Sequence, residues 1–208
     1  MPTETPDPEP PDRPTRGRPR SSESEQAILR AALDLLAEGT DLGAISINVI
    51  AARAGAGKNT VYRRWPNKDA LLVDALASLN QPLPVTTGQS VREDLILILS
   101  AMITRLQDTR ATRIINGAMA AGHAYPQLRE RYQADVIEPR REAMRKVIRA
   151  GMASGELRTD IDPATIGNML SAPLVLRSIE GSPPQGPPQE VAAELVDAIL
   201  LGISRRTD

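Results

Sequence analysis

The sequence has no cysteine and only one histidine, His123. Disulfides, thiolate metal ligands and cysteine nucleophiles are thereby excluded, as are zinc sites that need several imidazoles. Phenylalanine is also absent, so a core must be packed from leucine, isoleucine, valine, alanine and methionine. No apolar run approaches the roughly 18 residues that span a bilayer, and the N-terminus lacks an apolar signal segment. We therefore expect a soluble, cytoplasmic protein that uses no metal, cofactor or membrane partner.

Charge is balanced over the 208 residues, with a formal net charge of −1, but it is unevenly placed. Residues 1–12 hold four acids and no base, whereas residues 13–68 hold ten basic and five acidic side chains. The positive charge is thus confined to one segment, a distribution that favours a nucleic-acid partner there. Residues 1–21 are rich in proline and charge and too poor in apolar residues to fold alone, which predicts a disordered basic arm.

The apolar spacing after residue 21 is helical almost everywhere, and no strand-like alternation persists. Ser22 and Glu25 form a capping box that predicts the first helix start, and Pro139 should kink the long seventh helix. The fold class is therefore all-α, with about nine helices. They are expected near residues 22–38, 47–54, 58–64, 67–79, 91–108, 109–121, 126–153, 163–180 and 189–205.

The stretch RAGAGKNTVYRRWPNKDAL, residues 53–71, allows two interpretations. A phosphate-binding P-loop needs the pattern G-x-x-x-x-G-K-[ST] between a strand and a helix. Gly57 and Lys58 fit its last part, but Ala52 and Asn59 stand where the first glycine and the hydroxyl residue are required. The preceding segment is also helical, so the nucleotide-binding interpretation fails in two positions and in context.

A helix-turn-helix fits the same stretch. It needs a small residue where two helices cross, a glycine in the turn and a β-branched residue that packs the second helix. Ala51, Gly55 and Val61 supply these. The second helix of such a motif lies in the major groove. The side chains left pointing outward are those of Lys58, Asn59, Tyr62 and Arg63.

Residues 28–76 resemble the DNA-binding domain of tetracycline-repressor-type (TetR) transcription regulators. The family pattern A-G-V-S-x-x-T-L-Y-x-[HY]-F-x-[SN]-K-x-x-L stands here as AGAGKNTVYRRWPNKDALL, residues 54–72. Gly57 replaces the usual serine and removes a cap and a phosphate contact, while Trp65 replaces phenylalanine and is expected in the core. The segment EPRREAMRKVIRAGMASGELRTDIDP also resembles the seventh-helix region of one large subgroup.

The resemblance implies an interface with double-stranded operator DNA. Asn59 suits adenine, and Arg63 or Lys58 suits guanine, in bidentate pairs. Lys68 at a helix start suits a phosphate. In the arm, Arg18 and Arg20 allow either minor-groove reading or a merely basic tail. The predicted DNA-binding residues are Arg18, Arg20, Ser46, Asn48, Lys58, Asn59, Thr60, Tyr62, Arg63 and Lys68.

The resemblance also implies that the C-terminal region holds an effector pocket and a dimer interface. The helices at 163–180 and 189–205 have apolar faces wide enough to pack on a second copy. Methionine suits irregular ligands but is more often ordinary core, and His123 could equally cap a helix. The candidate ligand-binding residues are Met102, Arg105, Met119, His123, Tyr125, Met169 and Arg177.

The expected organisation is an arm at 1–21, a three-helix DNA-binding domain at 22–66 and a helical ligand-binding and dimerisation domain at 67–208, with 67–79 as connecting helix. The function implied is a homodimeric, nucleoid-associated bacterial repressor of a palindromic operator, released by a small molecule that is not identified. Two alternatives are a constitutive DNA-binding or architectural protein and a helical enzyme. For the enzyme, the sequence offers no catalytic residues.

Overall fold

The computed structural model describes residues 19–203, and the structural statements below concern that part of the chain. These residues form α-helices and no β-sheet, which confirms the all-α prediction. None of their helices is long and apolar enough to cross a membrane. The helices are α1 (Pro19–Ala37), α2 (Ile47–Arg53), α3 (Lys58–Tyr62), α4 (Lys68–Ala77), α5 (Val91–Gln107), α6 (Thr109–Ala120), α7 (Pro126–Tyr132), α8 (Glu138–Ser154), α9 (Pro163–Ile179) and α10 (Pro188–Ile203).

Helices α7 and α8 form one continuous rod through a π-helical turn, Gln133–Ile137, so the described residues make nine helical rods. The N–H of Glu138 donates to the carbonyl of Gln133, five residues back, instead of four. Pro139 follows directly and has no N–H to continue the regular pattern. The expected distortion of the long helix is therefore present, as a wider turn just before the proline.

Helix α1 begins at Pro19, three residues earlier than predicted. Ser22 consequently lies inside the helix, and its assignment as the N-cap was wrong. Proline suits a helix start, because the first N–H groups have no partner within the helix and its φ angle is already helical. Residues 1–18, which include most of the predicted arm and Arg18, lie outside the described residues.

The first apolar core joins the helix-turn-helix to the middle of the chain. Ile28 and Ala32 of α1, Ile50 of α2, Val61 of α3 and Leu72 of α4 are fully buried in it. The same cluster takes in Ile114, Ile115 and Ala118 of α6 and Leu128 and Tyr132 of α7. This core therefore contains residues from both sides of residue 66, where the domain boundary was predicted.

A second core is formed by α5, α8, α9 and α10. Leu95, Leu99 and Ile103 of α5 pack with Ile148 of α8, and Ile166, Leu170, Ala192 and Val196 complete it from α9 and α10. Arg92 and Asp197 link α5 to α10 by two hydrogen bonds of 2.6 and 2.8 Å. These helices thus form a bundle that carries α9 and α10 at its surface.

Candidate nucleic-acid interface and effector cavity

The helix-turn-helix is present as predicted. Ser46 caps α2, because its Oγ accepts from the N–H of Val49 at 3.3 Å. Gly55 adopts φ +63° in the turn, a left-handed conformation that glycine takes at little cost. Ala51 and Val61 are buried where α2 and α3 cross. Local sequence thus holds α3 at a defined angle to α2.

Helix α3 is short and its outer face is exposed. It ends at Tyr62, two residues before the predicted end, and Arg63 is its C-cap residue. The side chain of Tyr62 is 53% exposed. Thr60 is half-buried, whereas Lys58, Asn59, Tyr62 and Arg63 are all exposed. Gly57 supplies no side-chain cap for α3, as expected from the missing serine.

Two side chains beside α3 have structural roles, and that of Trp65 in the core was predicted. Trp65 is only 3% exposed, and its Nε1 donates to Asp74 of α4 at 2.7 Å. Arg53 at the end of α2 is held by Glu38 through two hydrogen bonds of 2.7 and 3.0 Å. Trp65 therefore fixes α3 against α4 and is not a base-stacking platform.

Lys68 lies in the first turn of α4, which Asn67 caps by accepting from the N–H of Ala70 at 2.9 Å. The ammonium of Lys68 donates to the carbonyl of Leu42 at 2.6 Å and lies 5.5 Å from the ring centre of Tyr125. An ammonium has three donors, so this bond leaves others for a phosphate. Lys68 is thus both a structural group and a candidate DNA contact.

The remaining predicted DNA contacts stand apart from α3. Asn48 is exposed in the first turn of α2, and Ser46 precedes it with a half-buried hydroxyl. Arg20 lies in α1 and not in an arm, and its side chain is outside the described part of the chain. The exposed face of α2 and α3 therefore stays the predicted DNA interface.

A cavity of about 610 Å³ lies between α5, α6, the α7–α8 rod and α9, with the linker after α4 at its edge. Three of the predicted ligand-binding residues line it: Met102, Arg105 and Met119. The volume is in the range that small-molecule sites occupy. Apolar and polar side chains both reach it, among them Leu83, Leu106, Ile115, Asn116, Tyr132, Gln133, Asn168 and Ser171.

Three predicted ligand-binding residues lie elsewhere. Tyr125 lies beside Lys68, and its hydroxyl donates to Asp41 in the loop after α1 at 3.3 Å; burial and the nearby Asp41 carboxylate raise the pKa of Tyr125. Met169 is 44% exposed on the outer face of α9. Arg177 donates from Nε to the carbonyl of Ser182 at the end of α9, at 3.1 Å. His123 lies in a 3₁₀ turn, Ala121–His123, and its side chain is outside the described residues.

The sequence reading missed several cavity residues. Asn116 precedes Met119 by three positions on α6, so helical periodicity placed it on the same face. Its Nδ2 donates to the carbonyl of Ser178 on α9 at 3.2 Å. Tyr132 and Arg140 come from the α7–α8 rod, and the π turn between them changes the direction in which Arg140 faces relative to Tyr132. That change cannot be followed with an α-helical period.

Two family models match the chain. The model for "Tetracyclin repressor-like, C-terminal domain" covers residues 85–199, and that for "Bacterial regulatory proteins, tetR family" covers residues 28–75. The chain belongs to the TetR family. It is therefore a transcription regulator with an N-terminal helix-turn-helix for DNA, and not a member of an enzyme family.

Similar proteins agree with this family over most of their length. The uncharacterized regulator YdeS of Bacillus subtilis (strain 168) is 34% identical over 165 residues, 78% of this chain and 81% of that protein. The DNA-binding transcriptional repressor TetR of Mycobacteroides abscessus is 30% identical over 195 residues, 91% of this chain and 96% of that protein. The flavonoid-responsive regulator FrrA has the same fold, with a TM-score of 0.65 at 19% identity over 89% of this chain and 100% of that one.

Proposed function

We propose that this TetR-family regulator is a homodimeric repressor that binds a palindromic operator and is released by a small-molecule effector. Each α3 would enter one major groove, and a two-fold partner would supply the second α3. It would act on nucleoid DNA in a bacterial cytoplasm. One observation carries the proposal. The outer face of α3 is exposed, and a cavity lies between α5, α6, the α7–α8 rod and α9 in the same chain.

Dimerisation is supported by the apolar surface of the last two helices. On α9, Leu176 is 56% and Ile179 is 66% exposed, and on α10, Leu201 is 84% exposed. When exposed apolar side chains cluster, the patch is usually buried in an interface with another protein. A two-fold contact of α9 and α10 with their copies would bury them in a four-helix interface.

Effector control is supported by the path between the cavity and the DNA-binding helices. Helix α6 lines the cavity through Asn116 and Met119 and contacts α1 through the pair of Arg110 and Asp34, at 2.6 Å. The chain after α6 leads to Tyr125, which packs on Lys68 at the start of α4. An effector that favours one arrangement of α6 would thereby bias α4 and the spacing of the two α3 helices.

Two similar proteins support the separate parts of the proposal. One relative is a DNA-binding transcriptional repressor, and one protein of the same fold is a flavonoid-responsive regulator. The alternative is a constitutive regulator without an effector. The cavity favours the responsive form, because a chain selected only to fold would gain from filling a space of this size.

The deciding experiment is selection of bound sites from random duplex DNA with the full chain. A repressor of the proposed kind enriches a motif with two-fold symmetry and half-sites about one helical turn apart. Sedimentation of the complex should give two chains for each site. Enrichment of an asymmetric motif, or no enrichment, would contradict binding of a palindromic operator by a homodimer.

A further inference from the structure

The wall of the cavity carries charge of one sign. Among the described residues that line it, five are arginines and none is an aspartate or a glutamate. The arginines come from α5, α7 and α8: Arg105, Arg129, Arg140, Arg141 and Arg145. A cavity with walls of low dielectric constant and one sign of charge attracts ligands of the opposite sign.

Two of these arginines are already satisfied by the protein. Arg140 donates to the carbonyls of Val136 at 2.8 Å and Gln81 at 2.9 Å, which ties the linker to the helical rod. Arg145 forms ion pairs with Glu138 and with Glu142, the latter at 2.8 Å. Among the described residues, Arg145 is therefore paired with carboxylates, whereas the donors of Arg140 are held by carbonyl oxygens alone.

Arg105 differs from both. It lies one turn after Met102 on α5, and its Nη1 is buried without a hydrogen-bond partner. Within residues 19–203, no hydrogen bond or ion pair from its guanidinium is present. The nearest acid in sequence, Asp108, is used as the cap of α6, where its Oδ1 accepts from the N–H of Ala111 at 2.9 Å.

Burial of an unpaired charge is unfavourable, and the pKa of Arg105 reflects this. Loss of water around the guanidinium has the largest effect and lowers that pKa; Tyr132 opposes it, the neighbouring charge of Arg140 lowers the pKa further, and Asp108 has the smallest effect, which raises it. Arginine nevertheless stays protonated in proteins. The Arg105 cation therefore lies where a bound anion would stabilise it.

We infer that the effector is an apolar molecule with one carboxylate or similar anionic group, and that Arg105 binds this group. The inference rests on the proposed function only in treating the cavity as the effector site. Bidentate pairing with a planar carboxylate would satisfy the fork of guanidinium donors. The apolar body would lie against Met102, Leu106, Ile115 and Met119.

The test is calorimetric titration of the full chain, without DNA, with two matched pairs of probes. The pairs are decanoate with decanamide and 2-naphthoate with 2-naphthamide, which differ chiefly in charge. At least one carboxylate should bind about tenfold or more tightly than its amide, as expected for a hydrogen bond to a charged group. If no carboxylate binds, or both pairs bind equally, the inference is wrong.

Three variants assign the effect to one side chain. Arg105→Met should reduce the preference for the carboxylate to about two-fold or less, whereas Arg105→Lys should keep part of it. Arg113→Met is the matched control, since Arg113 is exposed on α6 and does not line the cavity. Persistence of the preference in Arg105→Met would overturn the role of Arg105.

Thermal unfolding without ligand separates this role from a structural one. Removal of a buried unpaired charge should raise the Tm of Arg105→Met by about 2 °C or more. A lower Tm would mean that the guanidinium stabilises the fold, which contradicts the inference. Because neither measurement contains DNA, failure here leaves the operator selection intact, and failure of the selection leaves these results intact.

Discussion

The ammonium of Lys68 and the main-chain carbonyl of Leu42 are joined by a hydrogen bond of 2.6 Å. The bond connects the start of α4 to the loop between α1 and α2. Tyr125 covers the same ammonium from the C-terminal side, so three parts of the chain meet at Lys68. Lys68, which the sequence predicts to contact a phosphate, therefore also connects the DNA-binding helices to the C-terminal part of the protein.

Lys68→Met should show both roles. We expect weaker binding to every DNA sequence, with the slope of log affinity against log salt concentration reduced by about one. The free energy of unfolding should fall by about 1 kcal/mol, because the Leu42 carbonyl loses its partner. Lys146→Met, at an exposed position on α8, is the control. A loss of stability with an unchanged salt slope would leave Lys68 with the structural role alone.

Arg63→Ala tests the reading of bases. Arg63 is exposed at the end of α3, and a bidentate contact with guanine should contribute about 1–3 kcal/mol at one base pair. The variant should therefore tolerate changes at that position while it keeps its preferences elsewhere, as measured by binding to single-substituted operators. Arg113→Ala controls for loss of charge. An equal loss on all sequences would show that Arg63 contacts only the backbone.

Gly55 and Gly57 form a matched pair for the turn and the cap. Gly55→Ala places a side chain at φ +63° and should lower the free energy of unfolding by about 1 kcal/mol or more. Gly57 has φ −69°, and an added Cβ would meet its nearest atom, Thr60 Oγ1, at 3.8 Å, so Gly57→Ala should be tolerated. Gly57→Ser should raise the free energy of unfolding by a few tenths of a kcal/mol, because the serine hydroxyl would cap α3.

Urea denaturation followed by circular dichroism measures all three glycine variants in one assay. The ranking expected is Gly57→Ser, then Gly57→Ala, then Gly55→Ala, from most to least stable. A Gly55→Ala variant as stable as the unsubstituted protein would contradict the left-handed turn between α2 and α3.

Leu176→Asp tests the proposed dimer. Leu176 is exposed on α9 and does not line the cavity, so a charge there should disrupt only a contact with a second copy. Sedimentation should show monomers, and operator affinity should fall at least about tenfold, since a buried unpaired carboxylate costs several kcal/mol. Val85→Asp, at an 89% exposed position in the linker, should change neither. A dimeric Leu176→Asp would exclude that face.

Local patterns in the sequence were enough for the turn of the DNA-binding part, and local contacts also settle several helix caps. Asn67, Ser90 and Asp162 each cap a helix by accepting from an N–H group three residues later in the chain. The turn at Gly55 likewise depends on the conformation of one residue. Such features are settled by side chains and backbone within a single turn, which is why their spacing could be read directly.

The N-terminus shows where local reading failed. Ser22 with Glu25 satisfies the capping-box spacing, yet α1 starts at Pro19. Two start signals lay close together, and the box alone could not rank them. The competing signal, a proline at a helix start, was also present in the sequence.

The sequence by itself determined the helices, the turn between α2 and α3, and the apolar faces that need partners. Only the tertiary structure decided what those faces meet: Met102, Arg105 and Met119 at the cavity, Tyr125 against Lys68, Met169 at the outer surface and Arg177 at the end of α9. The reason is that helical periodicity defines a face of one helix, whereas a cavity requires faces of several helices to converge. Their convergence depends on the packing angles between helices, which the pattern of one helix does not specify, and on the π turn before Pro139.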